Sequence, residues 1–286
     1  MMRKRQSKCS SSHQIKPWIR WITRAILRHE GHAANLKRND PLLRIAFPGM
    51  ATTWERHSVR SVFFVRAQIR FLGIPHLAIL AAVILTGFAL IRVVLRRPAL
   101  EWPVRCVLAG AAGVLGLSWY GLRFWLLHTP WRWDLPLELC DISLWTTALA
   151  LVWPRQRLLE LAYYWGLAGA SLALLTPYLV APVGSLLSLS FFAGHGIIVA
   201  SILFLLGIGR LRPSPGSWRF ALLLLNGLAL VDFSIDKILG VNYMYLLHKP
   251  PIQSLFTVMG PWPWYIASAE LVAALLFLAM QWPFRR

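Results

Sequence analysis

Residues 186–208 read LLSLSFFAGHGIIVASILFLLGI, 23 positions without one Asp, Glu, Lys or Arg. A run of that length matches the roughly 20 apolar residues with which a helix crosses a hydrocarbon core. Inside that core each backbone polar group must be satisfied within its own segment, so the run predicts a helix. Its one titratable side chain is His195, held between Gly194 and Gly196. Six further apolar runs lie at about 74–95, 103–125, 135–153, 157–176, 218–238 and 263–281. The expected fold is therefore an all-α polytopic membrane protein with seven transmembrane helices.

Composition agrees. The chain is 57% hydrophobic and only 14% charged. Trp102, Trp125, Trp131, Trp133, Trp153, Trp218, Trp262, Trp264 and Trp282 sit at or near span ends, where indole rings favour the interface. The net charge of +19 does not point to nucleic acid. Residues 1–49 carry 11 Lys/Arg against Glu30 and Asp40, and the other basic residues edge the spans. Cys9, Cys106 and Cys140 are far apart and show no CxxC spacing, so they form neither a disulfide framework nor a zinc motif.

Residues 1–73 form a basic arm, expected to be disordered or an over-extended reading frame, with Met50 an alternative start. Trp18, Ile19, Trp21, Ile22 and Ile26 suggest a short amphipathic helix at most. No 7–15-residue apolar core follows the basic start, so a signal peptide is not expected. The membrane domain is 74–283. Loops after spans one, three and five and the C-terminus carry 4, 2, 3 and 2 Lys/Arg, against 2, 0 and 2 after spans two, four and six. The positive-inside rule then puts the N-terminus outside and the C-terminus in the cytoplasm, in a plasma (bacterial inner) membrane. No repeat of fixed period supports a three-plus-one-plus-three transporter layout.

In an up-down bundle, odd spans begin and even spans end on one side. Cys140 and Asp141 fall in the second turn of span three, His195 and Glu270 a few turns into spans five and seven. Asp232 and Asp236 close span six, His76 opens span one and Arg123 ends span two. At 1.5 Å per residue all lie within roughly 15 Å of one face. Glu160, near the other end of span four, is expected to snorkel to the interface. The long connection at 239–262 reaches the polar face and is aromatic and proline-rich, so it reads as a lid. The uncharged connection with Pro177, Pro182 and Gly184 is expected to dip into the membrane.

Pro136 suits a first helical turn, and Cys140 would then feel the positive end of the helix dipole, which favours thiolate. Glu138 and Asp141 oppose that effect unless Arg123, Arg132 or Lys249 pairs with them. On a helical wheel Asp134, Glu138 and Asp141 share a face and Cys140 points elsewhere. Cys140 also reads as a small buried hydrophobe, and His195 as a helix-to-helix hydrogen-bonding group. Asp232 and Asp236 at i,i+4 could bind a cation, orient His195, or pair with Lys237 or Lys249. Glu270 reads as an interhelical hydrogen bonder. No ligand spacing announces a metal, and no cofactor is expected.

Five motifs in order carry a resemblance: Leu135-Pro136-Leu137-Glu138-Leu139-Cys140-Asp141, Glu160-Leu161-Ala162-Tyr163-Tyr164-Trp165-Gly166, His195-Gly196, Asn242-Tyr243-Met244-Tyr245-Leu246 and Gly260-Pro261-Trp262-Pro263-Trp264-Tyr265. Together they resemble the YwaF-like integral membrane family, distantly related to animal transmembrane protein 164, over about 70–283. The animal relatives look like acyltransferases that move a fatty acyl chain onto ether lysophospholipids with an intramembrane cysteine and histidine. Androgen-induced intramembrane lipid hydrolases have a comparable layout with a threonine nucleophile. Carried over motif by motif, the roles fall on Cys140 and His195.

The resulting expectation is a lipid acyltransferase or transacylase acting on membrane glycerophospholipids through a Cys140 thioester. Glu138, Asp141, Asp232, Asp236 and Glu270 would support or orient the site. Asn242 and Tyr245 would serve the oxyanion, and Lys249 and Arg132 a phosphate head group. The alternatives are a small-solute or ion transporter using the carboxylates and His195, or a non-catalytic scaffold.

Overall fold

The structure, a computed structural model, describes residues 73–177, 179, 184–250 and 255–284. The basic arm up to residue 72, with its amphipathic segment, lies outside the described residues, as do Pro182 and Pro251. Seven helical rods follow the seven apolar runs. They are α1 (Ile74–Arg96), α2 (Glu101–Leu122), α3 (Leu139–Val152), α5 (Leu186–Gly207), α6 (Ser217–Leu239), α7 (Trp264–Gln281) and, between α3 and α5, α4. The α4 rod is Gln156–Leu161 and Ala168–Leu175 joined through a wider, π-type turn, Ala162–Leu167. A similar wide turn, Arg123–Leu127, extends α2. There is no strand among the described residues.

Five of the rods are long and apolar enough to cross a membrane: α1, α2 with its extension, α4, α5 and α7. The chain is thus an all-helical integral membrane protein. Two rods differ. α3 has 14 residues, about 21 Å at 1.5 Å per residue. α6 has 23 but carries Arg219, Asn226, Asp232, Asp236 and Lys237.

The start of α3 corrects the sequence reading. Glu138, extended at φ −64° and ψ 142°, is the cap, and Leu139 is the first helical residue. Pro136 lies in a preceding turn closed by Leu137 N–H on the Leu135 carbonyl at 2.8 Å. Cys140 therefore sits in the first turn, where backbone N–H groups lack helical partners.

Burial ranks the rods. The apolar windows of α4 and α5 are 56% and 50% buried, against 11% for α1 and 17% for α7. α5 is apolar on every side, which suits the middle of a bundle, and it packs on α1, α2, α3 and α4. α1 runs parallel to α5: a Cβ added at Gly87 would meet Leu203 Cβ at 3.4 Å, one at Gly196 would meet Val83 Cγ2 at 2.9 Å, and Gly207 sits on Ile91. Of the two glycines flanking His195, Gly196 is thus the one against a neighbour; a Cβ on Gly194 meets nothing within 4 Å. Small residues that let backbones approach are the usual contact in apolar solvent.

At the centre is Gly166, in the wide turn of α4. A Cβ there would lie 2.8 Å from Ile202 Cδ1, 2.9 Å from Ile198 Cγ2 and 3.4 Å from Thr147 Oγ1. Three rods, α3, α4 and α5, meet at that point. The end at which α1, α3, α5 and α7 begin is called the upper end below.

Glu160, at the lower end, does not snorkel. It is fully buried and accepts from Gln156 Nε2 (2.9 Å), the Ser214 amide (3.0 Å) and Arg157 Nη1 (3.1 Å). The α5–α6 connection folds over it and supplies donors in place of water, as a buried carboxylate requires.

Gly166→Val should destabilise the purified protein by about 1–3 kcal/mol through overpacking, read as a lower melting temperature in detergent. Gly194→Ala, with open space around it, should be neutral or stabilising by up to about 1 kcal/mol.

Candidate functional site

Thr147 on α3 and Ile202 on α5 both reach Gly166. α4 lies antiparallel to α3, because Leu139 at the start of α3 packs on Gly169 beyond the wide turn. It lies antiparallel to α5 as well, because His76 at the opening of α1, which parallels α5, reaches the Leu174 carbonyl near the end of α4. α3 and α5, which touch, are consequently parallel. Seven residues are two turns, about 10.5 Å, and return nearly to the same face of a helix. Seven residues before Thr147 is Cys140, and seven before Ile202 is His195. Cys140, in the first turn of α3, and His195, in the upper half of α5, thus both lie toward the upper end of two helices that touch.

His195 is half-buried. Its Nδ1 is 2.8 Å from the Phe191 carbonyl one turn back, and its ring leans on that of Phe191 at 4.3 Å. A carbonyl only accepts, so Nδ1 carries the proton and Nε2 presents the lone pair. The orienting group for the imidazole is therefore this carbonyl. His76 is fully buried at the opening of α1, with Nε2 2.7 Å from the Leu174 carbonyl near the end of α4.

Of the three carboxylates expected on one wheel face, only Asp141 lies inside α3; Glu138 caps the helix and Asp134 precedes it. Tyr120 of α2 lies beside Asp141, and Arg123 acts on both Asp141 and Glu138. Glu138 Oε2 accepts the Met244 amide at 3.3 Å. Asp134 is paired with Arg123 at 2.7 Å and with the Thr129 hydroxyl. Tyr120 is a site neighbour that sequence patterning missed, because an aromatic near a span end reads as interfacial.

The connection after α6 is tied down at several points. Asp236 Oδ1 accepts the Tyr243 amide at 2.9 Å. The Tyr243 hydroxyl donates to the Arg132 carbonyl at 2.7 Å and accepts from the Leu135 amide at 3.0 Å. Burial pushes that phenol up to about 12, so it stays a donor at neutral pH. Asn242 staples its own loop: Oδ1 accepts the Leu247 amide and Nδ2 reaches His248, each at 2.8 Å. Met244 and Tyr245 are both left-handed, at φ 50° and 57°. Such strain persists only where the surroundings over-determine it; here Glu138 holds Met244, and the Tyr265 hydroxyl donates to the Tyr245 carbonyl. Lys249 lies over the Tyr265 ring, 5.5 Å from its centre. Arg132 is exposed.

The remaining acidic residues divide. Asp232 and Asp236 are fully buried, and both Asp232 oxygens and Asp236 Oδ2 lack a hydrogen-bond partner among the described residues. Glu270 accepts from Asn226 Nδ2 at 2.6 Å across α6 and α7, as an interhelical hydrogen bonder does. Among the described residues, no three His, Cys, Asp or Glu side chains gather as a metal cluster.

The model of the TMEM164 family matches residues 71–281. The chain belongs to that family. A protein of Treponema pallidum (strain Nichols), named only as uncharacterized, is 28% identical over 222 residues, 76% of this chain and 90% of that protein. No solved structure matches the chain. The TMEM164 match covers every described helix up to Gln281 and takes in the whole upper-end cluster.

Tyr243→Phe removes the donor to Arg132 and the acceptor for Leu135. It should cost about 1–3 kcal/mol and raise amide exchange across 132–137 and 242–248, measured by hydrogen–deuterium exchange.

Proposed function

We propose that this TMEM164-family chain is a membrane-embedded lipid acyltransferase or transacylase with Cys140 as nucleophile and His195 as proton carrier. What supports the reading is that Cys140 and His195 both lie toward the upper end of touching helices, with His195 Nδ1 on the Phe191 carbonyl and Nε2 left to accept a proton. His195 Nε2 takes the thiol proton as Sγ attacks the carbonyl carbon of a glycerophospholipid ester. The tetrahedral oxyanion collapses to the thioester, and the lysolipid alkoxide leaves with the proton from Nε2. An acceptor lysolipid hydroxyl then gives its proton to Nε2 and attacks the thioester; the ester forms, and the proton returns to Sγ. First-turn N–H groups of α3 are the donors nearest the developing oxyanion, because Asn242 is occupied within its own loop. Tyr245 belongs to the strained turn beside Glu138 that lids the site. Arg132 and Lys249, at the rim, suit the lipid phosphate. Glu138 and Asp141 hold α3 against its neighbours.

The same reading takes all seven rods as spans, with the N-terminus outside and the C-terminus in the cytoplasm of a plasma membrane. In a Cys9→Ser background, a cysteine placed by Arg155→Cys should then react with a membrane-impermeant maleimide only after the cells are opened. Labelling in intact cells would invert the topology.

A second reading, transport of a cation or proton-coupled solute, is favoured by Asp232, whose buried carboxylate lacks a partner among the described residues. Purified protein supplied with labelled phospholipid donors separates the two. Cys140→Ala and His195→Ala should each cut acyl transfer by at least about 100-fold, the usual scale for an acid–base or nucleophilic group. Acyl transfer that survives both substitutions, together with liposome uptake abolished by Asp232→Asn, would replace the enzyme with the transporter.

A further inference from the structure

The lower end of the bundle, remote from Cys140 and His195, holds a cavity of about 530 Å³. That size falls within the roughly 300–1,000 Å³ of ligand pockets. Its walls are Leu206 in the last turn of α5, Leu211 and Pro213 in the α5–α6 connection, and Phe284 beyond α7. Arg212 is the one charged residue on its wall.

Of the other described arginines at this end, five are engaged, while Arg92, Arg96 and Arg97 at the end of α1 are exposed. Arg105 and Arg210 hold Glu101, Arg157 holds Glu160, and Arg155 and Arg219 lie over the rings of Trp153 and Trp218. The Arg212 side chain is exposed and has no ion pair, hydrogen bond or ring contact among the described residues. Its backbone is fixed, because its carbonyl accepts Gln156 Nε2 at 2.8 Å. Gln156 and the adjacent Ser214 amide also bind Glu160. The described carboxylates of this end, Glu101 and Glu160, are each paired with arginine and do not repel an anion.

We propose that this cavity binds one anionic phospholipid, with its phosphate on Arg212 and an acyl chain along Leu206, Leu211 and Phe284. A guanidinium without a partner among the described residues, on the wall of an apolar cavity where a membrane helix ends, complements that ligand in charge and in shape. Basic pockets between membrane helices bind acidic head groups in this way. The proposal does not depend on the acyl-transfer reading, since neither Cys140 nor His195 takes part.

The test is native mass spectrometry of the full-length protein released from nanodiscs of equimolar phosphatidylglycerol and phosphatidylcholine. The wild type should retain phosphatidylglycerol in preference to phosphatidylcholine. Arg212→Gln, at an exposed position that leaves folding intact, should lower phosphatidylglycerol retention about five-fold, the weight of one basic residue near an anionic lipid. Leu206→Trp, which fills the cavity, should lower it with Arg212 still present, and millimolar inorganic phosphate should not displace the lipid. Equal retention of the two lipids by the wild type, unchanged retention in either variant, or displacement by inorganic phosphate would overturn the proposal.

Discussion

Gly166 is the point on which the bundle turns. Where α4 widens at Ala162–Leu167, the missing side chain lets Ile198 and Ile202 of α5 and Thr147 of α3 close on one backbone. A membrane offers no hydrophobic drive between apolar helices, so dispersion contacts at such close approaches hold them together. Wide turns of this kind are costly in regular helix and recur where function needs a local re-aiming of side chains. Here the turn sets the register of three rods.

The polar groups fall into two layers, each closed by a loop. At the lower end Glu160 and Glu101 gather arginines, a backbone amide and the α5–α6 connection. At the upper end Tyr243 and Glu138 bind the connection after α6 to the segment before α3. Both layers satisfy charge with protein donors rather than water, which is what makes ionisable groups tolerable at the rim of a hydrocarbon core. Asp232 is the exception, and for that reason it remains the natural probe of any second activity.

The apolar runs made seven rods legible, because length and hydropathy act locally. The upper-end grouping of Cys140, Asp141, Asp232 and Asp236 was also legible, since alternating direction and a fixed rise decide depth. Two details were not. Pro136 as a first-turn residue and Glu160 as a snorkelling residue both follow from intrinsic preferences. In each case a neighbouring segment supplied a better partner: a tight turn for Pro136, and Ser214 with Gln156 for Glu160.

The sequence by itself therefore determined an all-helical membrane bundle, the family, and the side of the membrane shared by its thiol, imidazole and most carboxylates. Only the tertiary structure decided which faces meet. Hydropathy is a property of each residue, whereas facing is a property of the register between helices, and that register is set by a glycine contact no local rule reports. It is this that packs α3, α4 and α5 on Gly166, buries Glu160 under the α5–α6 connection, and leaves Arg212 on the wall of a cavity.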